Sequence, residues 1–271
     1  MALMFQRLAQ NFIKKGFFPT DEKTITGILR LLQAPKQGHV RLLDPCCGEG
    51  TALAEVTHAL CHDAITCESF GVEIDEERAW HSKSILDRAI HGDLQDCIIG
   101  KRQFSLMFFN PPYGDLVSDQ VGYSEKQKGR DRLEKLFYQK TISLLQFDGI
   151  GITIIPFYTL DMQLSGWIAR NYTQVQVYQA AVDQFKQIVI LGKRCRSTEV
   201  KTQAARDMER YLLSIGQGEI KPYPLPEADT FLMDDELLNL QFVKGYCVPA
   251  AVEHKVNFQY VKMDPKQLQV E

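Results

Sequence analysis

The sequence lacks the features that mark several common classes of protein. Its seven cysteines include no Cys-x-x-Cys pair, so neither a disulfide framework nor a zinc site is indicated. No apolar run is long enough to cross a bilayer, and the first residues contain no continuous apolar segment of the kind found in secretory signals. We therefore expect a cytoplasmic protein with reduced thiols, no metal site and no contact with membranes.

The sequence also lacks an excess of charge of one sign. Its formal net charge is -3 at pH 7, with 45% hydrophobic and 24% charged residues, which is ordinary for a globular chain and provides no overall attraction to a polyanion. Binding to nucleic acid would therefore need a local basic patch. The candidate stretches are Lys126, Lys128, Arg130 and Arg132, and further along Lys193, Arg194, Arg196 and Lys201. Because such clusters are more often solvated surfaces, both stretches remain candidates only.

What the chain does contain is a regular alternation of strand and helix patterns. Apolar residues at helical spacing over residues 22–34 predict an amphipathic helix, which Pro35 would stop. The predicted strands cover residues 40–44, 70–75, 104–110, 149–157, 175–180 and 187–194, with a further short strand end in 90–96. Strands that alternate with helices favour a parallel sheet covered on both faces. The last two strands leave no room for a crossover helix, so they must pair antiparallel.

The length of 271 residues fits one catalytic domain with a small appendage. We predict a lead-in segment over 1–35, a catalytic domain over 36–195 and a C-terminal extension over 196–271. A polar stretch over 114–132 interrupts the strand and helix pattern. Because long loops in compact domains are often functional, we expect this stretch to form a lid or substrate clamp.

A glycine-bearing turn, DPCCGEG from Asp44 to Gly50, follows the first predicted strand. Gly48 and Gly50 let the backbone pass close to a ligand, and the helix that follows offers free N–H groups to an anionic group. Glu73 and Asp93 follow the next strands in the same way, at the sheet edge where ligands bind. A Gly-x-Gly turn alone could be a tight connection with nothing bound. Three acidic residues at one edge favour a ligand site.

The motif NPPY, Asn110 to Tyr113, follows a fully apolar strand. An exocyclic or amide nitrogen is a poor nucleophile because its lone pair is delocalised. Asn110 Oδ1 and the Pro111 carbonyl could accept hydrogen bonds from its two N–H groups, and Pro111 and Pro112 hold the backbone rigid. Tyr113 offers an aromatic face to a flipped-out base. A simple strand-ending turn is the alternative interpretation.

With both motifs in this order, residues 18–193 resemble the class I S-adenosylmethionine (SAM)-dependent methyltransferases. The resemblance implies an α/β fold with a Rossmann-like, seven-stranded, mostly parallel sheet and a terminal antiparallel hairpin, and SAM as the cofactor. In that family the glycine turn holds the amino-acid part of SAM, the next acidic residue holds the ribose, and the third holds the adenine between two apolar side chains. The cofactor-binding positions that this implies are Asp44, Cys46, Gly48, Gly50, Glu73, Ile74, Asp93, Leu94 and Asn110.

The NPPY motif resembles that of the amino-methyltransferases, which include N6-adenine DNA and RNA enzymes and glutamine-N5 protein enzymes. Because GFFPT lies upstream of the glycine turn, the motif order resembles the gamma type of N6-adenine DNA methyltransferase. This implies that Phe18 and Thr20 lie beside the methionine part of SAM. The chain departs from the DNA enzymes at Thr51, where a Phe is common, and in the small segment that follows residue 194.

We therefore predict a SAM-dependent N-methyltransferase that methylates adenine N6 in DNA, with Asn110, Pro111, Pro112 and Tyr113 as the catalytic residues. N6-adenine methylation of RNA, glutamine-N5 methylation of protein and a catalytically idle SAM-binding partner subunit remain open. The expected partners are nucleic acid, DNA before RNA, and a partner subunit or a second copy of the chain.

Overall fold

The structure is a computed structural model that describes residues 19–113, 133–182, 186–196, 198–226, 245–252 and 255–261. Its first half follows the predicted alternation of strands and helices. In order it contains α1 (Glu22–Leu31), β1 (Leu32–Gln33), β2 (Gly38–Asp44), α2 (Thr51–Leu60), β3 (Ile65–Glu73), α3 (Glu76–Ile85), β4 (Arg88–His91), a 3-10 turn (Leu94–Asp96), β5 (Cys97–Ile99) and β6 (Phe104–Phe109).

The second half begins at the next described helix. It contains α4 (Leu133–Thr141), β7 (Leu145–Pro156), a 3-10 turn (Phe157–Thr159), α5 (Met162–Asn171), β8 (Tyr172–Gln179), β9 (Gln187–Arg194), α6 (Thr202–Gly216), β10 (Tyr223–Pro224), β11 (Tyr246–Cys247) and β12 (Phe258–Tyr260). Among all the residues described, no helix has the length and apolar character that a membrane crossing requires.

The main sheet has eight strands in the order β10-β8-β9-β7-β6-β2-β3-β4. Only β9 runs antiparallel to its neighbours, and the remaining pairs are parallel. The predicted mostly parallel sheet with an antiparallel hairpin is thus confirmed. The two-residue strand β10 adds one strand beyond the expected seven and lies outside β8, so the hairpin of β8 and β9 is not at the sheet edge.

Burial explains why the central strands read as continuous apolar runs. Every residue of β6 is buried, as expected for a parallel strand with helices on both faces. Helix α1 begins after Asp21, whose side chain accepts a hydrogen bond from the Thr24 N–H at 2.9 Å, and it buries Ile25 and Ile28. These elements hold the carboxyl ends of β2, β3, β4 and β6 at one edge, where the predicted site residues lie.

Helix α1 ends earlier than the sequence pattern predicts. The apolar periodicity continues to residue 34, yet the helix ends at Leu31 because Leu32 and Gln33 pair in parallel with Tyr246 and Cys247. Another C-terminal strand, β12, pairs antiparallel with β5. Described parts of the C-terminal extension therefore pack on the predicted catalytic domain.

Candidate active site

The glycine turn joins β2 to α2 at the carboxyl edge of the sheet. Asp44 ends β2 with only 3% of its surface exposed, and its Oδ1 accepts a hydrogen bond from the Cys46 N–H at 2.9 Å. Gly48 and Gly50 have φ angles of 55° and 84°, in the left-handed region that glycine adopts without strain. Gly50 caps α2 without a side-chain hydrogen bond. The first N–H groups of α2 therefore suit an anionic ligand.

Glu73 joins the end of β3 to this turn. Its Oε2 accepts from the Gly48 N–H at 2.9 Å, while its Oε1 accepts from the Asp75 N–H and from the Arg78 guanidinium, each at 2.8 Å. Arg78 lies on α3 and is itself buried. A carboxylate oxygen has two acceptor positions, so Glu73 Oε2 retains capacity for one ribose hydroxyl in this arrangement. Binding of both ribose hydroxyls would require Arg78 or a backbone donor to move.

The charge distribution of the turn fits an amino-acid group. Burial raises the pKa of Asp44 to about 8; the Cys46 N–H opposes this shift and the nearby Glu73 adds to it. A ligand ammonium would offset that burial cost by favouring the ionised carboxylate. A ligand carboxylate could use the N–H groups at the start of α2. The residues present therefore fit the methionine part of SAM.

A pocket connects the glycine turn with the end of β6. Of the residues predicted from the sequence, it is lined by Thr20, Asp44, Cys46, Gly50 and Asn110. The pocket is also lined by six residues that were not predicted from the sequence: Pro19, Cys47, Glu49, Thr51, Ala52 and Phe108. The glycine turn and the NPPY motif thus share one pocket.

The predicted adenine-binding residues lie further along the same edge. Ile74 has 64% of its surface exposed, so its side chain is available to a ligand. Asp93 follows β4, and its Oδ1 accepts from the Gln95 N–H at 2.8 Å. Leu94 is 8% exposed and packs in a core cluster with Phe70. Ile74 is therefore the more accessible of the two apolar residues predicted to sandwich adenine.

Asn110, directly after β6, is held by hydrogen bonds on both sides of its amide. Its Nδ2 donates to Thr20 Oγ1 at 3.1 Å, and its Oδ1 accepts from the Tyr113 hydroxyl at 2.6 Å. The same hydroxyl accepts from Gln187 Nε2 at 2.7 Å. Thr20, predicted from motif order alone, is thus in contact with the NPPY motif.

Tyr113 acts as a hydrogen-bond donor here. Burial raises the pKa of its hydroxyl well above the ordinary value, the hydrogen bond from Gln187 partly opposes this, and Glu134 and Tyr158 contribute in the same direction as burial. The hydroxyl therefore stays protonated at neutral pH. Cys46 and Cys47, which line the pocket, likewise remain protonated, because burial raises the pKa of both thiols well above 9.0. They are not poised as nucleophiles.

Two of the sequence predictions fall outside the described residues: Phe18, and the stretch 114–132 with its basic residues Lys126, Lys128, Arg130 and Arg132. The second basic stretch begins at the end of β9, at the opposite edge of the sheet from Asn110. Lys193 pairs with Asp148 at 2.7 Å, and Arg196 pairs with Glu199 at 3.0 Å. This stretch is not part of the pocket.

The sequence did not predict the positions of Arg78 and Gln187. A buried arginine five residues after Glu73 leaves only a weak signal, because the sequence does not show which face of α3 it occupies. Gln187 meets Tyr113 only through the antiparallel placement of β9. Across the described ranges, no group of three or more His, Cys, Asp or Glu side chains is arranged to hold a metal ion.

Comparison with known proteins agrees with this architecture. The model of the uncharacterised methyltransferase family DUF6094 matches residues 2–227. A Listeria monocytogenes structure described as a class I SAM-dependent methyltransferase superposes with a TM-score of 0.56 at 13% identity, covering 78% of each chain. A type I restriction-modification methyltransferase subunit from Streptococcus thermophilus gives a TM-score of 0.49 at 16% identity, covering 78% of this chain and 56% of that one. A search of the curated proteins gave no significant match.

Proposed function

Because the chain belongs to the methyltransferase family DUF6094, for which SAM is the expected cofactor, we propose that it methylates the N6 amino group of adenine in nucleic acid, with DNA as the first candidate. The observation that carries this proposal is the position of Asn110. Its amide lines the pocket of the glycine turn, and its Oδ1 already accepts a hydrogen bond from an O–H donor. An amine N–H could take that donor's place.

Bound SAM would supply an electrophilic methyl group on its sulfonium sulfur. Asp44 and the start of α2 would hold the amino-acid part of the cofactor, and Glu73 would accept a hydrogen bond from its ribose. Thr20 fixes the Asn110 amide through Nδ2, which leaves Oδ1 as the acceptor for one amine N–H. The Pro111 carbonyl would accept the other. The two bonds draw the nitrogen lone pair out of conjugation.

The Tyr113 hydroxyl makes the hydrogen bond to Asn110 that the substrate amine would make. It donates to Asn110 Oδ1 at 2.6 Å, and in this proposal the incoming amine takes its place. Moving the hydroxyl away would release the ring to stack on a planar base. Tyr158, which is 51% exposed after β7, offers a second aromatic side chain at the same edge. Two aromatic rings beside the acceptor favour a nucleobase over a glutamine amide.

The proposal includes a partner that recognises the target. In the parts of the chain that the structure describes, the strands after α6 pair with β8, β1 and β5 instead of forming a unit of their own. A second chain, or a second copy of this one, would then select the methylation site. The partner could act without contributing to the chemistry.

Methyl-labelled SAM tests the acceptor directly. Purified protein is incubated with unmethylated genomic DNA, total RNA and a protein extract, and the labelled product is digested and identified. We expect N6-methyladenine in DNA. Asn110→Ala should reduce turnover by roughly 10²–10³, as for loss of one preorganised polar partner, with SAM affinity nearly unchanged.

The matched control is Asn171→Ala, because Asn171 lies at the end of α5, does not line the pocket, and donates through its side chain to the Trp167 carbonyl at 2.8 Å. It should retain wild-type turnover. Label found only in protein would reject adenine as the acceptor, and full activity of Asn110→Ala on every acceptor would reject the role of the NPPY motif.

A further inference from the structure

The C-terminal strand β12 lies against the cofactor edge of the sheet. It pairs antiparallel with β5, Tyr260 opposite Cys97, and the Val261 N–H donates to the Asp96 carbonyl at 3.1 Å. Asp96 ends the 3-10 turn that begins directly after Asp93. The chain segment 255–261 is therefore fixed beside the residues proposed to bind adenine.

The side chains of β12 that share a face point to this turn. Phe258 is 5% exposed and packs in the same core cluster as Leu94, with its ring 5.1 Å from that of Phe70. Because alternate residues of a strand share a face, Tyr260 lies on the same side as Phe258, and Gln259 on the other. Phe258 anchors the strand, and Tyr260 extends beyond it towards the sheet edge.

The ring of Tyr260 rests on the backbone of Gly92. A Cβ added to Gly92 would lie 2.3 Å from Tyr260 Cε2, so only glycine permits the contact. Gly92 is the residue before Asp93, and its N–H donates to the Glu73 carbonyl at 2.9 Å. The contact therefore lies between the proposed ribose-binding and adenine-binding residues. Tyr260 still has 39% of its surface exposed.

We propose that Tyr260 forms the outer wall of the adenine end of the SAM site, so that the C-terminal extension contributes a cofactor-binding residue. A flat aromatic ring held against a glycine backbone provides a rigid apolar surface for a purine. Ile74 would cover the adenine from the other side. The proposal rests on the use of SAM and not on which acceptor is methylated.

Binding measurements without any acceptor test this proposal. Calorimetry compares SAM with 5′-methylthioadenosine, which carries the adenosine part of SAM but no amino-acid group. Tyr260→Ala should weaken both ligands by roughly tenfold or more, the size expected for loss of one base-stacking ring. Tyr260→Phe should bind both within about twofold of the wild type, because the ring alone is needed. The matched control, Gln259→Ala on the opposite face of β12, should bind both normally.

A second measurement, on wild-type protein, tests the proposal even if Tyr260→Ala folds poorly. In wild-type protein labelled with 3-fluorotyrosine, the fluorine resonance that Tyr260→Phe removes belongs to Tyr260. Saturation with 5′-methylthioadenosine should shift that resonance. No shift, or wild-type affinity of folded Tyr260→Ala for both ligands, overturns the proposal. A failed search for N6-methyladenine would leave these results unaffected.

Discussion

At the residue scale, Asp44 combines a cost in stability with a gain in binding. Burial raises its pKa to about 8 from an ordinary 3.8, so the folded protein holds a proton that the unfolded chain loses above pH 4. Stability of the cofactor-free protein should therefore fall as the pH rises from about 4 to 8, and level off above that. An ammonium group from SAM would favour the ionised form.

Asp44→Asn should remove this pH dependence. The Asn Oδ1 can still accept from the Cys46 N–H, so cofactor-free protein at pH 8 should gain stability on the order of 1–3 kcal/mol. SAM affinity should fall at the same time, because a charged partner is lost. Urea denaturation from pH 5 to 9, with calorimetry of SAM binding, checks both. An unchanged slope of stability against pH would show that Asp44 is ionised in the folded protein.

Glu73 has two roles that a single substitution cannot separate. Its carboxylate holds Gly48 and Arg78, and it is the proposed ribose acceptor. Glu73→Gln should lower stability by about 3–5 kcal/mol because it breaks a buried ion pair, and it should weaken SAM binding. The double variant with Arg78→Met removes the buried charge, so it should recover most of the stability without recovering SAM affinity. Recovery of both in the double variant would limit Glu73 to a structural role.

At the scale of elements, strand direction decides which residues reach the pocket. Because β9 runs antiparallel, its first residue, Gln187, lies at the edge where β6 ends, and it donates to the Tyr113 hydroxyl at 2.7 Å. The basic residues at the other end of β9 lie far from that edge. The direction of β9 therefore places the second basic stretch far from the pocket, and it places Gln187, which the sequence did not predict, in contact with Tyr113.

Gln187 should affect turnover only through the Tyr113 hydroxyl. Tyr113→Phe retains the stacking ring and should keep activity within about tenfold of the wild type, and Gln187→Leu should have a similar effect. The two changes together should cost no more than either alone, because they remove the same interaction. Initial rates on the acceptor found by labelling, with SAM affinity as control, form the double-mutant cycle. Additive losses would mean that Gln187 acts elsewhere.

Local sequence patterns predicted those elements whose apolar residues are buried within the central sheet. The strand over residues 187–194 has the predicted bounds, since its apolar pattern reflects the faces that it buries. Features that depend on distant pairing were not predictable. Helix α1 ends early because Leu32 pairs with Tyr246, and Arg78 meets Glu73 only once α3 packs beside β3. The proposed site roles remain predictions.

At the scale of the whole molecule, the C-terminal segment completes a core that the family match does not cover. The match ends at residue 227, yet Tyr246, Val248 and Phe258 are each 5% exposed or less. Tyr246 and Val248 join the cluster beneath α1, while Phe258 joins the one beside β4. The described stretches 245–252 and 255–261 thus add buried residues to the core at two separate places.

A chain that ends at Pro226 should therefore lose its cooperative fold. Deletion uncovers two core clusters, and loss of one buried aromatic alone typically costs about 3–5 kcal/mol, a large part of a domain's total stability. In the full chain, Phe258→Ala should cost that amount, whereas Gln259→Ala, on the exposed face of β12, should cost less than about 0.5 kcal/mol. Thermal unfolding monitored by circular dichroism compares the shortened chain and the two point variants with the wild type. If the shortened chain unfolds cooperatively at the wild-type midpoint, the C-terminal segment is not needed for the fold. Phe258 would then pack against a domain that is already stable without it.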